Sequence, residues 1–113
     1  MTPEGRIKAM VSKGLKAIQK RNPGKLWVRM PVTRGMGRPW LDYHICANGL
    51  TVAIETKRDP AAKLTPQQWA TYRELTLAGA KVFVVNDRDT ADFALTFIEA
   101  ACIHAYGPGF QVP

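Results

Sequence analysis

The chain has 113 residues, of which 46% are hydrophobic, and a formal net charge of +7. This length supports one hydrophobic core, and the apolar content argues against a disordered chain. No stretch reaches the roughly 18 uncharged apolar residues of a membrane span, and the start MTPEGRIKAM lacks the apolar run of a signal peptide. We expect one intracellular, cytoplasmic domain over residues 1–113, without a membrane partner, with residues 106–113 as a flexible or interface tail.

The first segment predicts a basic amphipathic helix. Thr2-Pro3 is a typical helix start, and apolar residues then recur at spacings of three and four to about Arg21. Ten basic residues and one acid precede Pro39, whereas six basic residues and eight acids follow. This asymmetry favours a polyanion partner, most simply nucleic acid. A solvated basic face without a partner is the alternative.

Three strands are predicted next. Residues 25–32 read as a strand, and residues 33–39, TRGMGRP, form a basic glycine loop. Residues 41–46 and 50–57 are strands joined at Ala47-Asn48-Gly49, and Asn-Gly is the strongest short hairpin signal.

The remaining chain predicts helix, strand and helix. Leu64-Thr65-Pro66 marks a helix start, and Gly79 marks that helix's end. Residues 81–86, KVFVVN, are typical of a strand covered on both faces. Residues 90–104 form an amphipathic helix with Phe93 and Phe97 on its apolar face. The order α-β-β-β-α-β-α indicates an α/β fold with a mixed central sheet flanked by helices.

The predicted hairpin brings two acids together. With a two-residue turn at Asn48-Gly49, Asp42 lies opposite Glu55, and side-chain alternation puts both on the face of Lys57. At about 4 Å and an effective dielectric near 20, the repulsion is on the order of 4 kcal/mol. A shared proton, the Lys57 ammonium or a divalent cation could offset it. An edge hairpin with solvated charges is the alternative.

Other side chains near these acids are weaker candidates. Glu4 continues the apolar stripe of the first helix and should face the core side, although a first-turn acid also suits the helix dipole. Gln68 and Tyr72 lie one turn apart on a helix face. His44 shares the face of Asp42, either as a ligand or as a half-buried strand histidine. Cys46 is distant in sequence from the second cysteine, which favours two reduced thiols.

Together these motifs resemble the PD-(D/E)xK nuclease superfamily, and within it the virus-type replication-repair (VRR-NUC) nucleases. The resemblance rests on Asp42, Glu55-Thr56-Lys57 as the ExK element, Leu64-Thr65-Pro66-Gln67-Gln68, and the run Ala78–Val85 into a strand. Gln68 and Tyr72 are similar to the QxxxY element of some branches. Leu41 stands where the family usually has proline before the aspartate.

The resemblance implies a restriction-endonuclease-like fold and a Mg²⁺ or Mn²⁺ site. Asp42, Glu55 and the main-chain carbonyl of Thr56 would bind the ion, with Glu4 as a direct or water-mediated ligand. Lys57 would orient or activate the attacking water, and Gln68 would brace the site or contact the phosphate. The residues expected to contact DNA are Lys13, Lys16, Lys20, Arg34, Arg38, Arg58 and Tyr72.

The function expected from this resemblance is metal-dependent endonuclease cleavage of DNA, selective for structures such as branched DNA or four-way junctions. Stand-alone viral (phage) members suggest a junction-resolvase-like homodimer, since two cuts need two sites. A non-catalytic nucleic-acid-binding module on the same fold is the alternative. A metal-free regulatory dimer is a third candidate.

Overall fold

The structure is a computed structural model that describes residues 1–31 and 41–104. Its elements are α1 (Pro3–Arg21), β1 (Leu26–Arg29), β2 (Tyr43–Ala47), β3 (Leu50–Thr56), α2 (Pro66–Leu77), β4 (Lys81–Val85) and α3 (Arg88–His104). The predicted α-β-β-β-α-β-α order is therefore confirmed. The predicted glycine loop, with Arg34 and Arg38, and the predicted tail 106–113 lie outside the described residues. No helix in the described ranges is long and apolar enough to cross a membrane.

The first helix has the bounds that its sequence predicts. The Thr2 hydroxyl accepts a hydrogen bond from the Gly5 N–H at 3.0 Å, which satisfies one of the free donors of the first turn. Proline at the first helical position loses no hydrogen bond there. One stripe of α1 is buried and consists of Ile7, Val11, Leu15 and Ile18. The lysines between these residues are left to the other faces.

The sheet has the order β1-β2-β3-β4. Strand β2 is antiparallel to both β1 and β3, and β4 is parallel to β3. Asn48 and Gly49 both have positive φ, at 50° and 94°, as a type I′ hairpin turn requires. The resulting pairs run from Ala47–Leu50 to Tyr43–Ile54, which is the predicted register. Asp42 and Glu55 are the next residues beyond the last of these pairs.

One face of the sheet carries the main core. Ile45, Val52 and Ile54 are fully buried there together with the stripe of α1 and the small residues of α3. Because side chains alternate along a strand, Ala53 and Glu55 point to the opposite face. Helix α2 lies beside β4.

Three details differ from the sequence predictions. Phe93 is 67% exposed, because α3 closes on the sheet through small residues such as Ala91 and Ala94 instead. Strand β4 is an edge of the described sheet, and its three central residues are half-buried rather than covered on both faces. Strand β2 begins at Tyr43, so Asp42 precedes the strand.

Candidate active site

The centre of the site is the Glu55 carboxylate, which is almost fully buried. Glu55 is the penultimate residue of β3 and is 4% exposed. Its Oε1 accepts a hydrogen bond from the Asp42 N–H at 3.1 Å, and its Oε2 accepts one from Gln68 Nε2 at 2.6 Å. A buried carboxylate is costly unless such donors compensate for the lost water. One donor lies directly before β2 and the other lies on α2. Both segments must therefore be in place to compensate the burial of Glu55.

Asp42 is anchored by the end of β3. Its Oδ2 accepts two hydrogen bonds from Thr56, one from the main-chain N–H at 2.8 Å and one from the hydroxyl at 2.6 Å. Asp42 lies just before β2, so strand alternation does not determine the position of its carboxylate, which contacts Thr56. Its other oxygen, Oδ1, lies 3.7 Å from the Lys8 ammonium. The two acids are therefore held at the same end of the hairpin by different donors.

Gln68 connects the acid and the lysine of the site. Its side chain donates to Glu55 and accepts from Lys57 Nζ at 2.8 Å. The same Oε1 also accepts from the Thr65 N–H at 2.9 Å, while the Thr65 hydroxyl accepts from the Gln68 N–H. These reciprocal bonds form a capping box at the start of α2. The helix start that the sequence predicts is thus also the element that fixes the active-site amide.

Lys57 is held as a partly buried cation. Its side chain is 13% exposed, and Nζ lies 3.7 Å from Glu55 Oε2. The main-chain N–H of Lys57 donates to Val85 of β4 at 2.9 Å, which continues the parallel pairing beyond β3. The ammonium therefore keeps a fixed position beside the buried carboxylate.

Glu4 is not part of the buried stripe of α1, which favours the alternative of a first-turn acid. It is exposed in the first turn of α1, and Lys8 lies 3.7 Å from both Glu4 Oε2 and Asp42 Oδ1. Lys8 thus lies between two of the predicted metal ligands. Lys8 was not predicted from the sequence. Its spacing of four residues from Glu4 on a helix does indicate a contact between the two side chains. The Thr56 hydroxyl was not predicted either.

The surroundings of Glu55 shift its pKa. Burial first, and the Asp42 charge second, raise the pKa of Glu55 from 4.5 to about 7, against a smaller opposing effect of Lys57. A divalent cation bound between these two carboxylates would offset the repulsion between their charges.

The donor set fits a hard divalent ion. Mg²⁺ is commonly held by one or two carboxylates together with water and substrate phosphate, and Asp42 and Glu55 provide two. No group of three or more acidic, histidine or cysteine side chains converges as a metal cluster in residues 1–31 and 41–104. Within these ranges Glu4 thus forms no such cluster with Asp42 and Glu55. His44 packs edge-on against Trp27, with ring centroids 5.3 Å apart.

Five of the predicted DNA-contacting residues lie within the described ranges, and they differ in exposure. Lys13, Lys16 and Lys20 are exposed along α1. Arg58 is exposed directly after Lys57, with Nε 3.4 Å from Asp59 Oδ2. Tyr72 is half-buried on α2.

A second basic surface was not predicted from the sequence. Arg6 and Lys13 of α1 and Arg88 of α3 line a groove of about 530 Å³ between these helices, with Asp92 as its acidic member. Arg88 begins the helix that follows β4, three residues after that strand ends. Only the three-dimensional packing of α1 on α3 brings these cations together.

The Thr56 hydroxyl should contribute measurably to stability. We expect Thr56→Val to lower the free energy of unfolding by about 1–3 kcal/mol, because a buried hydrogen bond to a carboxylate is lost. Thr71→Val is the matched control: Thr71 is also buried, but its hydroxyl has no hydrogen-bond partner among the described residues. That variant should be neutral or slightly more stable. Urea unfolding compares the two, and equal losses would contradict the assigned Thr56–Asp42 bond.

The raised pKa of Glu55 predicts a pH dependence of folding. The folded chain binds this proton more tightly than the unfolded chain, so its contribution to stability is complete below pH 4.5 and is lost as pH rises to about 7. Across this window, wild type should lose up to about 3 kcal/mol more than Glu55→Gln. Urea unfolding in EDTA at pH 4.5 and 8 measures the difference. Parallel pH profiles for the two proteins would show that Glu55 titrates normally.

Comparison with known proteins supports the fold. No protein-family model matches the sequence, and no curated protein matches it. A solved structure described as "VRR_NUC domain" superposes with a TM-score of 0.70 at 24% sequence identity, covering 85% of this chain and 97% of the other. The chain therefore has the fold of a VRR_NUC domain, which confirms at the level of the fold the resemblance seen in the sequence motifs.

Proposed function

We propose that this chain is a divalent-metal-dependent nuclease that hydrolyses phosphodiester bonds in DNA. The observation that carries this proposal is the arrangement at the end of β3, where the buried Glu55 lies beside Asp42 and Lys57 is linked to Glu55 through Gln68. The fold shared with a VRR_NUC domain supports the same reaction class. Carboxylates repel the phosphates of nucleic acid. A protein that only binds nucleic acid therefore gains nothing from placing two of them at its binding surface.

Each residue has a role that its contacts suit. Asp42, Glu55 and the Thr56 carbonyl would hold Mg²⁺ or Mn²⁺, with Glu4 contributing through water. A bound divalent ion supplies positive charge that stabilises the phosphorane and lowers the pKa of an attacking water. Lys57 would hold that water or a phosphate oxygen with its ammonium. Gln68 keeps Lys57 in place and donates to Glu55.

The positive surfaces of α1 would bind the DNA backbone. Exposed Lys13, Lys16 and Lys20 provide phosphate contacts that do not depend on sequence. Arg6 and Arg88 extend this surface into the groove between α1 and α3. Arg34, Arg38, Arg58 and Tyr72 complete the proposed DNA-contacting set.

The substrate we propose is branched DNA, including four-way junctions. The proposed DNA-contacting set consists mainly of Lys and Arg side chains, which suit phosphate contacts more than the reading of base edges. Selection by DNA shape needs no reading of base edges. A homodimer would present two such sites to the two strands of a junction.

Cleavage assays test the proposal directly. We expect wild type to cut labelled junction DNA with Mg²⁺ or Mn²⁺ and not with EDTA. Glu55→Gln and Lys57→Met should each lower the rate by about 100-fold or more, because each removes charge from the reacting centre. Glu74→Gln, the same chemical change on an exposed position of α2, should cleave like wild type. Equal background cleavage by wild type and Glu55→Gln would refute the nuclease and favour a binding module.

A further inference from the structure

We infer that Trp69 on α2 stacks on an unpaired nucleobase of the DNA, so that the site favours substrates with single-stranded nucleotides next to the cut. This inference rests on the proposed nuclease function and specifies its substrate. It begins from an exposed aromatic side chain: Trp69 is 51% exposed, although tryptophan usually buries most of its surface. Trp69 has no role in the site described above.

The position of Trp69 is fixed relative to the proposed active site. It directly follows Gln68, whose amide contacts both Glu55 and Lys57. The capping box holds this first turn of α2 in place, and the Trp69 N–H donates to the Thr65 carbonyl at 2.9 Å. A strand whose phosphate lies at Lys57 therefore has its neighbouring nucleotides close to the first turn of α2.

The surroundings of Trp69 suit a nucleotide. An open groove of about 600 Å³ is lined by Pro66, Trp69, Ala70 and Arg73. The indole packs against the Tyr72 ring with centroids 5.3 Å apart and planes tilted by 60°, which supports it from one side. Arg73, one turn after Trp69, adds an exposed cation for a phosphate or for stacking on a base.

The chemistry favours an unpaired base over a paired one. A base inside a duplex has both faces covered by its neighbours, whereas a base in a flap or at a junction branch exposes a face to an aromatic ring. Aromatic stacking on bases is tolerant of sequence. It therefore gives selectivity for DNA structure, which matches a site with few groups for base readout. A protein partner on this surface would have to cover Arg73 as well as the indole.

The test measures binding to two DNAs that differ in one feature. Fluorescence anisotropy in Ca²⁺, with the DNA verified to remain uncut, compares a continuous duplex with the same duplex carrying a single-stranded flap. Trp69→Ala should weaken flap binding about 10-fold, within the range known for one stacked base, and change duplex binding less than twofold. Trp69→Phe should recover most of the loss. The matched control is Trp27→Ala, because Trp27 is 47% exposed on β1, away from α2.

A spectroscopic signal reports the stacking itself. With 2-aminopurine at the unpaired position next to the branch, wild type and Trp27→Ala should quench its emission on binding, and Trp69→Ala should not. Equal quenching by Trp69→Ala, or equal weakening of flap and duplex binding, would overturn the inference. A change of sedimenting mass in Trp69→Ala without a change in flap binding would instead identify a contact between protein copies and would also overturn it.

The two proposals fail differently. If wild type cleaves DNA with divalent ions but flap binding does not depend on Trp69, the nuclease proposal stands and the stacking proposal is wrong. Flap binding that depends on Trp69, without any divalent-dependent cleavage, would support the stacking site and remove the nuclease.

Discussion

A carboxylate buried at the end of β3 is the constraint on which the rest of the site depends. Glu55 has lost nearly all contact with water, and its pKa rises to about 7 because of that burial and the nearby charge of Asp42. The fold tolerates this because the Asp42 N–H and the Gln68 amide both donate to Glu55. The two carboxylates stay close together because hydrogen-bond donors hold Glu55 in place. Carboxylates with strongly shifted pKa values are typical of functional sites.

Three local features produce that arrangement. The Asn48-Gly49 turn fixes the register that runs to the Tyr43–Ile54 pair, and a slip of one residue would turn Glu55 into the apolar core. The capping box of α2 fixes Gln68 in the same bonds that start the helix. The parallel pairing of β4 with β3 holds the main chain of Lys57. Local stability and the site thus share the same hydrogen bonds, so a change in any of these elements should affect both.

Much of this could be predicted from the sequence. The bounds of α1 follow from its cap and its apolar spacing, and the hairpin register follows from Asn48-Gly49. The hydrogen bonds from Thr56 to the Asp42 carboxylate could not be predicted, because strand alternation does not extend to a residue before the strand. The place of Lys8 between Glu4 and Asp42 depends on how α1 packs against the hairpin. The exposure of Phe93 likewise follows from the close approach of α3 through alanines, which a count of apolar residues does not reveal.

The proposed function requires Asp42 and Glu55 to bind a divalent ion between them. Diffraction at the manganese absorption edge from crystals soaked in Mn²⁺ tests it most directly, because the anomalous signal comes from the metal alone. We expect a strong anomalous peak within coordination distance of an oxygen of each carboxylate. In Glu55→Gln this peak should be lost. A well-ordered site with no peak between the two carboxylates, or a peak unchanged in Glu55→Gln, would contradict this proposal.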